Sequence, residues 1–236
     1  MVNKGVYTTT APTVTGLQHL LTVCERELVE LNMHVKVNKS MCIRFGQRSN
    51  VQCADLSSIH GGSLKWVNSC RYLGVHFVNG RTLKCSFDSP NSKFYRAFNA
   101  IYSKVGRAAS QETVLALLRA KCLPILLYAT EACLMLSRDK HSLEFTTTRL
   151  MNIFRTGSSE VVVECQRNFN FLPIKLQLIV RTATFLQSFT ASVNTLCSIF
   201  ERQALNQLKC IFSAYGNVHT ACQLRNVVCE QFMSSS

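Results

Sequence analysis

The sequence predicts an α+β protein, with a small mixed front portion up to residue 88 and an all-helical remainder. Three observations lead there. Apolar residues recur at helical spacing over 16–33 and then alternate over 35–45 and 64–77. The pairs Gly61-Gly62 and Asn79-Gly80 punctuate that region as turns. Past Asp88 the alternation does not return, and caps followed by helical periodicity take over.

In the front, Gly16 to Met33 reads as a helix with Thr15 as its N-cap. Leu17, Leu20, Leu21, Cys24, Leu28 and Leu31 form its apolar side, and Glu25, Glu27 and Glu30 cover much of the other. Val35 to Phe45 reads as a strand interrupted at Asn38-Lys39-Ser40, and Leu64 to Phe77 as a hairpin pair. In the back, Ser89-Pro90 provides an N-cap and first-turn proline for a helix reaching about Val105. Ser110 caps a second helix that runs up to Pro124, Ser137 opens a third ending near Gly157, and Ser159 to Asn168 forms a fourth. The turn Phe171-Leu172-Pro173 starts a fifth, to about Phe189, and Val193 to Phe212 is a looser helical stretch. The serine-rich end, Ser234 to Ser236, is expected to be disordered. The division is therefore 1–88, 89–190 and 191–236.

Hydrophobic residues make up 47% of the 236 positions and charged ones 17%, a balance that supports a packed core rather than a disordered chain. The longest strongly apolar run, Cys122 to Thr130, is too short to span a bilayer, so no membrane partner is expected. The polar, threonine-rich N-terminus lacks the apolar core of a signal peptide, and no cysteine pair has CxxC spacing. Several cysteines sit within apolar runs, as Cys122 and Cys133 do, and read as buried free thiols in an intracellular protein (cytoplasmic or nuclear, not secreted) without structural zinc. Lysine and arginine number 26 against 13 acids, a net charge of +13 that favours a polyanionic partner. The acids are scarce in a particular way. Asp occurs only at Asp55, Asp88 and Asp139, so chemistry needing clustered carboxylates would have to gather them from distant segments. Walker, GxSxG and HExxH motifs are absent, and no small-molecule substrate is expected.

Segment 92–109 carries the sharpest pattern. At about 100° per residue, Phe94, Phe98, Ile101, Tyr102 and Val105 share an arc of roughly 100°, while Lys93, Arg96, Lys104 and Arg107 share one of roughly 80° nearly opposite. The helix would dock by Phe94 and Phe98 and present four positive charges with no acid among them. Solvated faces are the ordinary alternative, but they usually mix signs. Arg119 and Lys121 extend the charge on the next helix. A backbone contact to RNA or DNA, without sequence preference, follows.

Four segments carry a family likeness. Lys36-Val37-Asn38-Lys39-Ser40-Met41-Cys42-Ile43-Arg44-Phe45 resembles the fourth palm motif of reverse transcriptases, a lysine before Ser or Thr and then a strand. Arg71-Tyr72-Leu73-Gly74-Val75-His76-Phe77 resembles the primer-grip hairpin. Ala120-Lys121-Cys122-Leu123-Pro124-Ile125-Leu126-Leu127-Tyr128-Ala129-Thr130-Glu131 is similar to the thumb segment Pro-x-Leu-x-Tyr-Gly/Ala-x-Glu, and Asn168-Phe169-Asn170-Phe171-Leu172-Pro173-Ile174 falls where a post-thumb turn stands. Over about residues 11 to 190, in order, the chain thus resembles the late palm, primer grip, thumb and connection of a LINE-type (non-LTR, jockey-like) retrotransposon reverse transcriptase, an RNA-directed DNA polymerase.

The resemblance implies a palm remnant with a primer-grip hairpin in 1–88, a helical thumb and connection in 89–190, and a helical extension in 191–236. It places Lys39 near the incoming triphosphate and Tyr72, Leu73 and Gly74 at the primer end; Tyr128 and Glu131 serve helix packing. It also implies Mg²⁺ ions held by aspartates, a pair in a Tyr-x-Asp-Asp turn and one earlier. The pair should lie about eight residues before Ala11-Pro12, where this chain has Gly5 and Val6, and Tyr7 is followed by Thr8-Thr9-Thr10. The fingers and first half of the palm are expected upstream of Met1. No catalytic residue, metal ligand or cofactor is therefore assigned to this chain, and activity is not expected of it alone. Two alternatives stand beside this reading. One is a polymerase fragment completed by an upstream piece, with exposed apolar palm surface as its sign. The other is a helical interaction module with no nucleic-acid role.

Overall fold

A computed structural model describes residues 8–105, 108–133, 135–151 and 158–234. The chain is a mixed α+β protein in two compact units, Met1–Ser86 and Phe87–Ser236, parting close to Asp88. The neighbourhood of Gly157 and the final Ser235 and Ser236 lie outside the described residues.

The first unit opens with helix α1, Val14–Glu30. Its cap is Thr13, whose hydroxyl accepts from Gly16 N–H at 3.0 Å, and not Thr15, which lies inside the first turn. The helix ends earlier than its apolar pattern. Asn32 takes a left-handed φ of 54°, Asn32 N–H donates to Val29 C=O and Met33 N–H to Leu28 C=O, so the last carbonyls are satisfied in a Schellman stop. Two short three-stranded sheets follow. The first, in the order β1 (Met41–Cys42), β3 (Ser63–Trp66), β2 (Leu56–Ser57), pairs β1 with β3 in parallel and β2 with β3 antiparallel. The second is the antiparallel meander β4 (Ser69–Tyr72), β5 (Val75–Val78), β6 (Lys84–Ser86). Leu21, Cys42, Leu56 and Leu64 form the core of the unit, with Val14, Leu17, Val37 and Trp66 packed against it.

Several expectations are corrected here. The strand expected over 35–45 shrinks to Met41–Cys42, because Val37–Lys39 closes a 3-10 turn through Ser40 N–H to Val37 C=O. The hairpin expected over 64–77 divides between the two sheets, β3 joining the first and β4–β5 the second. Asn79-Gly80 is not a two-residue hairpin turn. It opens the longer connection 79–83, and Gly80 accepts from Gly46 N–H at 2.9 Å. Glu25, read as part of the polar side of α1, is 1% exposed. Its carboxylate accepts from Ser58 Oγ and, at 2.9 Å, from Ile59 N–H. One face away from water but fully partnered is where a buried carboxylate is tolerated. Gln18, two turns earlier on the same side, exchanges a pair of 2.8 Å hydrogen bonds with the backbone of Ser57. Helix α1 is therefore stitched to the β2–β3 hairpin by polar groups as well as by leucines.

The second unit is helical. Helix α2 spans Asp88–Val105; it begins at Asp88, so Ser89 and Pro90 sit within its first turn instead of capping it. Helix α3, Gln111–Leu117, is capped by Ser110, which accepts from Thr113 N–H at 3.3 Å. It continues through a π-helical segment, Leu118–Cys122, into α4, Leu123–Leu126. The wider turn has a cause. Pro124 offers no N–H and its ring would collide with the carbonyl four residues back, and the π segment opens the spiral there. Helices α5 (Ser137–Met151), α6 (Ser159–Asn168), α7 (Ile174–Thr190), α8 (Thr195–Ser213) and α9 (Ala221–Ser234) complete the unit. Helix α9 lies in the stretch expected as a helical extension over 191–236, and Ser234, expected to be disordered, is its last residue.

Two cores hold the unit. One gathers Phe94, Leu118, Cys122, Leu126, Leu143, Phe171 and Ile174, among others, and the second joins Ala183 and Leu186 of α7 to Ala204 and Leu208 of α8 and to Leu224 and Val228 of α9. Glu131 and Arg181 add a bidentate pair at 3.1–3.3 Å that ties the α4–α5 loop to α7, the packing role expected of Glu131. Tyr128, by contrast, is 53% exposed. Among the described residues no helix is long and apolar enough to cross a membrane.

Phe94 is 0% exposed and Phe98 only half-buried, so the first is the anchor of α2. Phe94→Ala should cost about 3–5 kcal/mol of unfolding free energy and Phe98→Ala distinctly less. Urea unfolding followed by far-UV circular dichroism measures both, and equal costs would contradict this packing.

Candidate nucleic-acid interface

Helix α2 presents two unlike sides. Phe94 enters the first helical core, with Ala97, Phe98 and Ile101 packed at its margin. Tyr102, expected on the buried arc, lies at its edge and is 38% exposed, its ring stacked on Phe98 with centroids 5.6 Å apart. Lys93, Arg96 and Lys104 are exposed on the opposite side. Arg107 lies outside the described residues.

The three described ridge cations have no carboxylate partner among the described residues, whereas other cations of the same unit do. Lys175 meets Glu144 at 2.9 Å, Arg181 meets Glu131 at 3.1 Å, and Arg138 lies 3.6 Å from Asp139. A one-signed row of exposed cations is costly to crowd together and is relieved by a row of phosphates.

Arg119 behaves differently from the ridge. Its guanidinium donates to Phe169 C=O and stands over the Phe171 ring, 5.4 Å from the centroid. The turn it holds is a second Schellman stop. Asn170 is left-handed at φ 49°, with Asn170 N–H on Arg167 C=O and Phe171 N–H on Gln166 C=O. Arg119 thus fastens the α6–α7 turn to the α3–α4 helix, which accounts for it without a phosphate. Lys121 projects from the π segment, exposed and without an ion pair among the described residues.

In the first unit, Lys39 is exposed on the 3-10 turn that leads into β1. Tyr72, Leu73 and Gly74 belong to the other sheet, where Leu73 and Gly74 form the two-residue turn between β4 and β5. Both have positive φ, 47° and 85°, the requirement of a type I′ hairpin turn. Glycine meets it freely. Leucine does so at a cost, and Leu73 is 68% exposed at the tip.

The register of the second sheet brings together residues that the sequence reading did not single out. Arg71 pairs with His76 and His76 with Ser86, while Val78 pairs with both Ser69 and Lys84. Since alternate residues share a face, Arg71, His76 and Lys84 stand on one side of the meander and Cys70, Tyr72, Val75, Phe77 and Cys85 on the other. The alternation of 69–78 carried part of this signal; the position of Lys84 depends on the length of the 79–83 connection.

Asp55 belongs to the first unit, and Asp88 and Asp139 to the second, at the starts of α2 and α5. Among the described residues no group of three or more His, Cys, Asp or Glu could hold a metal ion. None of the twelve cysteines is in a disulfide; Cys122 is buried as expected, and Cys133 is only half-buried. Burial pushes the thiols of Cys42, Cys70 and Cys122 up, which favours their protonated form.

No protein-family model matches the chain, and neither does any curated protein or solved structure.

Proposed function

We propose that this chain is the late-palm, primer-grip, thumb and connection part of a LINE-type reverse transcriptase, without polymerase activity by itself, and that its helical unit grips the backbone of RNA or DNA. The observation that carries the binding half is the α2 ridge: Lys93, Arg96 and Lys104, exposed and without carboxylate partners among the described residues, opposite an anchor that is fully buried. The family half rests on four sequence segments in order. The inactivity rests on Gly5, Val6 and Thr8-Thr9-Thr10 standing where paired aspartates would serve.

A second reading, completion by a separate piece that carries the aspartates, is favoured by one observation. Leu20, Val23 and Leu31 lie exposed within roughly 80° of each other along one flank of α1 and its cap, an apolar strip in need of cover.

Two results are expected. The purified chain incorporates no nucleotide on any template-primer with Mg²⁺ or Mn²⁺; template-dependent incorporation that survives stringent purification overturns the inactive reading, and incorporation that appears only on adding an aspartate-bearing piece favours the second. In a salt titration on one duplex and one single strand, log affinity falls against log salt with a slope of about −3 to −4. Replacing Lys93, Arg96, Lys104 and Arg107 together by Gln flattens the slope and weakens both ligands alike, with the thermal midpoint nearly unchanged. Equal affinities of the two proteins would make the ridge a solvated face and favour a helical interaction module.

A further inference from the structure

The first unit contains an open cavity that the α2 reading leaves unused. Its volume is about 830 Å³, and Arg44, Asp55, Lys65, Trp66, Asn68 and Asn79 are among the residues that line it. An inorganic anion would fill little of that space; pockets of roughly 300–1,000 Å³ accept organic ligands.

The lining has three kinds of recognition group. Arg44 is fixed through Nη1, which donates to Val51 C=O at 3.0 Å and to Cys53 Sγ, while its Nε and Nη2 have no partner among the described residues. Lys65, on β3, is exposed and likewise without an ion pair there. These two make a pair of cations, one just past the end of β1 and the other on β3. Asn79 Nδ2 donates to Asn68 Oδ1 at 3.0 Å, which orients both amides and leaves Asn79 Oδ1 and Asn68 Nδ2 as an acceptor and a donor without protein partners among the described residues. Trp66 is half-buried, its indole held at the wall by Nε1 donating to Ala54 C=O at 3.0 Å. The surroundings reinforce the charge: between Glu30 and Asp88 the sequence has eight lysines and arginines and a single acid, Asp55.

From this set we infer that the cavity binds a nucleotide unit, its phosphate between Arg44 and Lys65 and its base against Trp66 with the Asn68–Asn79 amides at its edge. Cations alone would suit any polyanion. The indole and the paired amide donor and acceptor suit a flat, hydrogen-bonding base. A free mononucleotide and one residue of a nucleic-acid strand share this chemistry. The inference does not depend on the α2 ridge.

Trp66 is the only tryptophan, so intrinsic emission reports on this cavity alone. The full chain is titrated at low salt with uridine monophosphate, a short oligouridylate, inorganic phosphate and polyglutamate, and equilibrium dialysis with labelled nucleotide and oligonucleotide measures binding directly. Saturable binding of the mononucleotide, or of the oligonucleotide alone, is expected, the two outcomes assigning the site to a free nucleotide or to a strand; phosphate and polyglutamate should leave the emission unchanged. Lys65→Gln should weaken binding on the order of tenfold, as loss of a charge-assisted contact does, and Asp55→Asn should strengthen it. Both side chains are exposed, so neither variant should lose its circular-dichroism melt. The fourfold α2 variant should keep the mononucleotide response, which separates failure of the ridge from failure of the cavity. Absence of saturable binding in both assays, an equal response to polyglutamate, or affinities that Lys65→Gln and Asp55→Asn leave unmoved would overturn the inference.

Discussion

Burial of Phe94 is the constraint from which the arrangement of the helical unit follows. A fully buried phenylalanine side chain contributes on the order of 1.5–3 kcal/mol, whereas an exposed ion pair contributes about 1 kcal/mol at most. The apolar side therefore decides how α2 is rotated, and the charges take the position that remains. With Phe94 in the core beside Leu118, Cys122 and Leu126, the arc of Lys93, Arg96 and Lys104 has to face water. The receiving helix is itself shaped by Pro124, which the π segment accommodates without ending the helical run.

The first unit is held by a different balance. Its core is small, and α1 adds Gln18 and Glu25 to the leucines that face the hairpin. Removing water from a carboxylate is unfavourable unless donors replace it, and Ser58 Oγ and Ile59 N–H supply them. The same contact orders the loop before β3, the strand that carries Lys65 and Trp66 to the cavity wall.

Local signals made much of the helical unit legible. Helix α6 has the bounds read from its sequence, Ser110 caps α3, and the aromatic arc of α2 contains its buried anchor, because caps and a 3.6-residue period are properties of short windows. What escaped depends on partners far along the chain. Glu25 fits the polar face of α1 until Ser58 is placed against it. Arg119 counts as free charge until the Phe169–Phe171 turn closes over it. The face shared by Arg71, His76 and Lys84 requires a strand register, and the cavity gathers residues from 44 to 79, which no periodicity could join. The left-handed Asn32 and Asn170 were visible only as ordinary polar residues, though each ends a helix.

Lysine acetylation with and without a bound duplex reads, residue by residue, where a polyanion touches the chain. Lys93 and Lys104 should be protected in the complex, while Lys140 and Lys209, exposed on other helices of the same unit, remain reactive. Protection of Lys140 and Lys209 equal to that of Lys93 and Lys104, or none at the ridge, would contradict contact through the ridge.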